Sequence, residues 1–356
     1  MQGSAGSAVS GISVRGLTVV RAKQTVLEDV SFSMPEAALT AVLGPAGAGK
    51  TSLLAALAGM LPLDRGAVFR GSRDITRLPP ARRGIAWLEP GTALAESRPL
   101  QTALRRFAAR GATARADDML FRLGLSAVAR QTVGLLSHGQ SLAALTAARL
   151  IRTADVLLVD EAGMGLDAAA AAALTTMLRQ EAADGRIVLV ATRSAAMALQ
   201  ADHLVLLSGG RVLQAGTPAS LYAEPRDTAA AHLTGPANIV EGHVRELRPG
   251  GFIWARGGRY QQSCEPGLPR PALGSPVTLC LRPERITLLA YGEAADIMAD
   301  SEILDVRSAD ALLDVRMESA IGPLTAAVPS WRPPVYPRAG QFTRVGWAAT
   351  AACVMG

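Results

Sequence analysis

The sequence predicts an α/β domain built on a mostly parallel sheet, followed by a small all-β domain. Two observations carry this. Up to Gly235-Pro236, short apolar runs of strand type alternate with Ala- and Leu-rich helical stretches, the pattern of a layered α/β sheet. Beyond that point short apolar strands follow one another, punctuated by Gly and Pro, as in a small barrel or sandwich. The expected domains are therefore 1–235 and 236–356, and 356 residues suffice for two.

Taken in order, Met1 to Gly11 is small and polar and is expected to fray. Ile12 to Val20 and Val26 to Met34 alternate as strands do. Leu39 to Leu43 is a short buried-type strand that enters a Gly-rich turn, and Thr51 to Leu61 has helical character. A mainly helical stretch covers about 94–150. Val156 to Val159 is a continuous apolar strand, and Ala168 to Ala183 is a strong helix former. Ile187 to Ala191 and Leu204 to Leu207 are further buried strands. In the second domain Ile239 to Leu247, Phe252 to Ala255, Val277 to Leu281, Ile286 to Ala290 and Leu312 to Met317 read as strands.

Composition narrows the class. With 49% hydrophobic and 19% charged residues the chain can bury a large core, and general disorder is excluded. Aromatics are only 4%, so Ala, Leu and Val must fill that core. No apolar run reaches the ~20 residues that span a bilayer, and the N-terminus lacks the features of a signal peptide. Cys264, Cys280 and Cys353 are odd in number and far apart in sequence, so reduced thiols are expected. The net charge is +6 and the pI about 9.8. Such a balance fits nucleic acid, an anionic membrane surface or simply solubility. No Lys/Arg block is interleaved with aromatics, so nucleic acid is the weaker reading, and docking under an anionic inner leaflet suits the charge equally well.

Two motifs carry chemistry. Gly44-Pro45-Ala46-Gly47-Ala48-Gly49-Lys50-Thr51, with Ser52 next, fits G-x-x-x-x-G-K-[ST] between a strand and a helix. Such a loop wraps backbone N–H groups around phosphates, with Lys50 as cation and the Thr51 hydroxyl for Mg²⁺. The strand Val156 to Val159 ends in Asp160-Glu161. Asp160 is placed to hold Mg²⁺ and Glu161 to orient and polarise a water as general base. A solvated strand end is the plainer reading of two adjacent carboxylates, but it is the weaker one after a phosphate loop.

Kinases and small GTPases share that loop. Leu136-Ser137-His138-Gly139-Gln140, ahead of Asp160, separates the classes, because it resembles the LSGGQ signature of ATP-binding cassette (ABC) proteins. Leu166-Asp167 follows at the family's D-loop spacing. Ala201-Asp202, Gly210-Arg211-Val212, Gly216-Thr217-Pro218, Leu221-Tyr222 and Pro225 resemble the end of such a cassette. Pro236-Ala237-Asn238-Ile239 and Leu281-Arg282-Pro283-Glu284 resemble the TOBE-type accessory β domain, related to OB folds, of polyamine, ferric iron, sulfate and sugar importer ATPases. The resemblance covers nearly the whole chain. It implies a P-loop cassette with a helical signature subdomain. Two copies would pair head to tail, sandwiching ATP and Mg²⁺ between Lys50 of one and Ser137, His138, Gly139 and Gln140 of the other, with Asp167 nearby. It further implies integral membrane permease subunits, met by the helical segment, and a periplasmic or extracellular solute-binding protein as an indirect partner. The chain would lie in the cytoplasm, on the inner face of the membrane.

Several positions depart from the family. Glu89 stands where the Q-loop glutamine is expected, as a Mg²⁺ ligand or water contact. Arg193 stands in place of the switch histidine, where it can donate to the γ-phosphate but not accept a proton. Their opposite charges suggest a paired exchange. His138 replaces a signature glycine and is strained if its φ must be positive. No aromatic lies near the first strand to stack on adenine, leaving Arg21 as a candidate. Ala162 replaces a proline. His203, His232 and His243 give no ligand spacing. Trp254, Trp331 and Trp347 are expected in the core of the β domain, and Arg82-Arg83 reads as a solvated turn. Three functions compete: an active importer ATPase, a cassette that binds ATP and pairs but hydrolyses poorly, and a soluble ABC ATPase of DNA repair or translation. The last usually has tandem cassettes or coiled-coil insertions, which this chain lacks.

Overall fold

The computed structural model describes residues 11–87, 94–108, 113–151, 154–161, 168–256, 259–263, 271–309, 311–331, 333 and 335–355. The chain divides into two compact units, Met1–Ala219 and Ser220–Gly356.

In the first unit β1 (Gly11–Arg21) and β2 (Gln24–Pro35) form a hairpin. β3 (Leu39–Leu43) leads through the glycine-rich loop into α1 (Lys50–Ala58). β4 (Arg65–Arg70) and β5 (Arg73–Asp74) complete an antiparallel sheet with β1 and β2. β6 (Ile85–Trp87) precedes the helical segment of α2 (Leu100–Arg105), α3 (Thr113–Arg122) and α4 (His138–Leu150). Then follow β7 (Val156–Val159), α5 (Ala168–Ala183), β8 (Ile187–Thr192), α6 (Ala195–Ala198), β9 (His203–Ser208) and β10 (Arg211–Gly216).

Among the described residues β10-β9-β3-β8-β7-β6 is one sheet, parallel except for the β10 edge. Val156 to Val159 and Ile187 to Thr192 are buried throughout, as strands covered on both faces must be. Leu53, Leu54 and Leu57 of α1 join one core with Val14 and Leu17 of the antiparallel sheet and Leu158 and Leu189 of the parallel one. Every residue of α1 except Thr51 is buried, which accounts for the unbroken apolar run from Leu53 to Ala58.

Arg83 is not the solvated residue its sequence suggests. It is 4% exposed. Its guanidinium donates to the carbonyls of Ala56 and Leu57 at the end of α1 and to those of Thr76 and Leu78. Gly59, in the left-handed region at φ 80°, makes the room: a Cβ there would lie 2.5 Å from Arg83 Nε. A cation on the last carbonyls of a helix offsets both their unmet hydrogen bonds and the helix dipole.

α7 (Pro218–Ala223) runs across the division, and α8 (Thr228–Thr234) belongs to the second unit. That unit also contains β11 (Asn238–Arg248), β12 (Gly251–Ala255), β13 (Arg259–Ser263), β14 (Pro276–Leu281), β15 (Thr287–Leu289), β16 (Ile297–Ala309), β17 (Leu312–Ser319), β18 (Gly322–Pro329), β19 (Phe342–Trp347) and β20 (Ala352–Met355). They form two antiparallel sheets, β13-β12-β11-β14-β20 and β15-β19-β16-β17-β18, among the described residues. Both contribute to one core, with Phe252 and Trp254 from the first and Ile303, Val315 and Trp347 from the second. Trp331, expected inside, is 69% exposed.

The division falls at Ala219/Ser220, whereas the composition shifts near residue 235. Arg282 is the physical reason. It is 2% exposed. It donates to the carbonyls of Tyr222, Ala231, Gly235 and Pro236 and to the Thr234 hydroxyl. The segment just before β11 is thereby fastened to the end of β14. Asn238 fastens the two sheets, bonding Leu281 O at 3.1 Å and both backbone groups of Thr325. Cys280 and Cys353, distant in sequence, are directly opposed across β14 and β20, and both are free thiols.

The Arg282 guanidinium also lies 3.9 Å from the centre of the Tyr222 ring, whose hydroxyl donates to Glu284 at 2.8 Å. Burial, then the Glu284 bond, push the Tyr222 phenol up to about 12. The folded state therefore holds this proton beyond the unfolded value of 10.0. The associated stability is complete below pH 10 and disappears as pH rises towards 12. In urea unfolding between pH 9 and 12, Tyr222→Phe is expected to flatten this part of the profile relative to the parent chain. Parallel profiles would contradict the assignment.

Candidate nucleotide site

The parallel strands β3, β7 and β8 end at one edge of their sheet, the place where open α/β sheets bind ligands. The segments following them line a cleft of about 290 Å³ formed by Val26, Ala46 to Ser52, Asp160, Glu161 and Arg193.

Backbone geometry builds the cradle. Gly44 has no room for a side chain, since a Cβ would meet the Leu207 carbonyl oxygen at 2.2 Å. Gly49 caps α1 with φ 99°, in the left-handed region that favours glycine. No side chain caps this helix end, so its first N–H groups face the cleft for an anion. Gly210 donates to Ala48 O at 3.1 Å and accepts from Glu28 N at 2.9 Å, bracing the loop from outside. The Gly44 N–H reaches Thr192 O, tying the loop to the end of β8.

Lys50 Nζ donates to Gly44 O at 2.7 Å and Pro45 O at 2.8 Å. Burial lowers its pKa, and the Arg193 charge lowers it further, while Asp160 and Glu161 oppose the shift. Two cations and two carboxylates thus share the cleft. Asp160 is 1% exposed and its Oδ1 accepts the Glu161 N–H at 2.9 Å. Glu161 is exposed to the cleft with φ 49°, a left-handed conformation costing a non-glycine residue about 1–2 kcal/mol. The Thr51 hydroxyl and the Asp160 carboxylate line the same cleft. Mg²⁺ prefers oxygen ligands with retained waters, so these residues fit that ion.

Other expected site residues lie elsewhere. Ser137 is the N-cap of α4: its Oγ accepts from Gln140 N at 3.2 Å, and Ser137 N donates to Gln140 Oε1 at 2.9 Å. This is a capping box. His138 is the first residue of that helix, so its backbone needs no positive φ and the expected strain is absent. Ser137, Gly139 and Gln140 do not line the cleft of their own chain. Arg21 sits at the β1–β2 turn, outside the cleft lining; Val26 is the residue of this hairpin that lines it. Nothing in the sequence singled out Val26 beyond its place in a strand. Glu89, Ala162 and Asp167 lie outside the described residues.

Residues 27–163 match the ABC transporter family. The chain is 32% identical over 241 residues to the Fe(3+) ions import ATP-binding protein FbpC of Streptomyces coelicolor, an overlap of 65% of this chain and 69% of that protein. It is 31% identical over 246 residues to the sulfate/thiosulfate import ATP-binding protein CysA of Nocardia farcinica, covering 65% and 74%. A solved ATP binding subunit of an ABC transporter superposes with TM-score 0.53 at 25% identity, covering 59% of this chain and 91% of that one. The chain belongs to the ABC transporter family. It is also similar to the spermidine/putrescine import ATP-binding protein PotA of Fusobacterium nucleatum, 28% identical over 272 residues, covering 74% of this chain and 72% of that protein.

Proposed function

We propose that this chain binds and hydrolyses Mg²⁺-ATP to power import of a small solute, a polyamine, ferric iron or a similar species. The observation that carries this is the single cleft shared by the glycine-rich loop, Lys50, Thr51, Asp160, Glu161 and Arg193. The loop N–H groups hold the phosphates, and Lys50 exchanges its two loop carbonyls for phosphate oxygens. Thr51 and Asp160 would hold Mg²⁺, which would supply positive charge to the phosphates. Glu161 orients water and accepts its proton. Arg193 stabilises charge on the γ-phosphate. Glu89 is assigned to the same water and metal, and Asp167 to the facing nucleotide.

Ser137 and Gln140, which cap α4 outside the lining of their own cleft, support a head-to-tail pair, in which a second copy presents Ser137, His138, Gly139 and Gln140. The working location is the inner face of the membrane, on permease subunits that receive solute from a binding protein; nucleic acid has no part. The β unit is taken as a TOBE-type domain. A second reading, a cassette that binds ATP and pairs but turns over slowly, is favoured by Arg193, a permanent cation beside Lys50 where the family resemblance expects a histidine. The test is Mg²⁺-ATP turnover by the purified chain beside Glu161→Gln. Turnover lost on substitution supports the first reading. Binding without turnover by either chain supports the second.

A further inference from the structure

The helical segment is braced within itself. Gln101 and Arg105 of α2 both bond Asp117 of α3, at 2.8 and 3.1 Å. Val133 N reaches Arg98 O at 3.0 Å and Gly134 N reaches Glu96 O at 3.0 Å, just before α4. α2, α3 and the start of α4 are therefore one piece, and whatever orients α3 orients Ser137.

Arg115, in the first turn of α3, reaches out of this piece. Its guanidinium bonds Glu181 Oε2 at 2.7 Å, in the last turn of α5. The Glu181 side chain is 4% exposed and also receives Arg186 at 2.6 Å. Arg186 immediately precedes β8, the strand whose far end delivers Arg193 to the cleft. The two arginines are not equivalent. Arg186 is 12% exposed and lies on the same α5–β8 turn as Glu181, so the two remain together. Arg115 is 31% exposed and comes from the separate helical piece. Withdrawing Arg115 leaves the buried carboxylate still paired, avoiding the penalty for an unpaired buried charge. A link that can detach without stranding its acceptor is suited to holding a movable piece at one angle.

We propose that Arg115 is a positioning residue: by pairing with Glu181 it sets the angle at which α4 presents Ser137 and Gly139 to the nucleotide of a second copy. It touches no nucleotide itself. The proposal rests on the head-to-tail reading above. The test uses the full-length chain with Glu161→Gln, to suppress turnover, with and without Arg115→Met. ATP binding, thermal midpoint and ATP-dependent pairing by light scattering are measured on each. The expected result is ATP affinity within about twofold and an unchanged midpoint, with pairing weakened about tenfold and partly recovered by Arg115→Lys. Equal pairing with and without Arg115→Met overturns the proposal alone. Joint loss of ATP binding, midpoint and pairing also overturns it, assigning Arg115 to the fold. No pairing by the Glu161→Gln chain itself overturns the head-to-tail reading and this proposal with it.

Discussion

A Glu161→Gln chain is expected to bind Mg²⁺-ATP with near-parental affinity and to lose turnover by about 10²- to 10⁴-fold, the usual contribution of a positioned general base. The amide matches the carboxylate in shape but cannot take the proton of an attacking water. Lys50, Thr51 and Asp160, which are assigned to binding, are untouched. The backbone supplies a second, independent readout. Glu161 sits at φ 49°, where glycine is unstrained. Glu161→Gly is therefore expected to raise the folding stability of the first unit by about 1 kcal/mol while also abolishing turnover. A stability gain coupled to loss of activity marks a residue kept for chemistry rather than for the fold. Single-turnover phosphate release and thermal unfolding would measure the two effects. A Gln variant that turns over normally would remove Glu161 from the base role.

The parts of this site legible in the sequence are those in which one contiguous stretch encodes both structure and chemistry. The strand Leu39 to Leu43, the glycines and Lys50-Thr51 form one such stretch, and Val156 to Glu161 another. Periodicity gives the element, and the residues at its end give the function. Arg193, which follows the apolar strand ending at Thr192, is marked only by the family resemblance, as the residue in place of the switch histidine. Other features were illegible because their partners are scattered or carry no sequence signal. Arg83 and Arg282 bond backbone carbonyls, which every residue possesses, so their burial has no local signature. Each reads from sequence as an ordinary charge, although the Leu281-Arg282-Pro283-Glu284 resemblance did mark the second. Glu181 and Arg186 are neighbours at the α5–β8 turn, but Arg115 reaches Glu181 from α3, 66 residues away in the sequence. Val26 lines the cleft because the β1–β2 hairpin folds over the loop, which alternation alone does not reveal. β16 is not legible because Asp300, Ser301, Glu302, Asp305 and Arg307 interrupt its apolar pattern.

Arg83→Met is expected to be the most destabilising single change considered, at about 3 kcal/mol or more in the first unit. Methionine fills much of the space but donates nothing. The carbonyls of Ala56, Leu57, Thr76 and Leu78 then lose a charged donor in a place where Arg83 was 4% exposed. Arg83→Lys is expected to recover part of the loss, because one ammonium with three donors cannot span carbonyls arranged for a planar fork. The effect reaches the site, since α1 carries the phosphate cradle at its other end. Hydrogen exchange at Lys50–Ala58 is expected to quicken about a hundredfold in Arg83→Met. Saturating Mg²⁺-ATP should slow it again, because a ligand that binds only the folded cradle stabilises it by mass action. Exchange confined to the Thr76–Leu78 turn, with α1 unchanged, would mean that the helix is held by its apolar contacts alone. Arg83 would then serve the turn rather than the cradle.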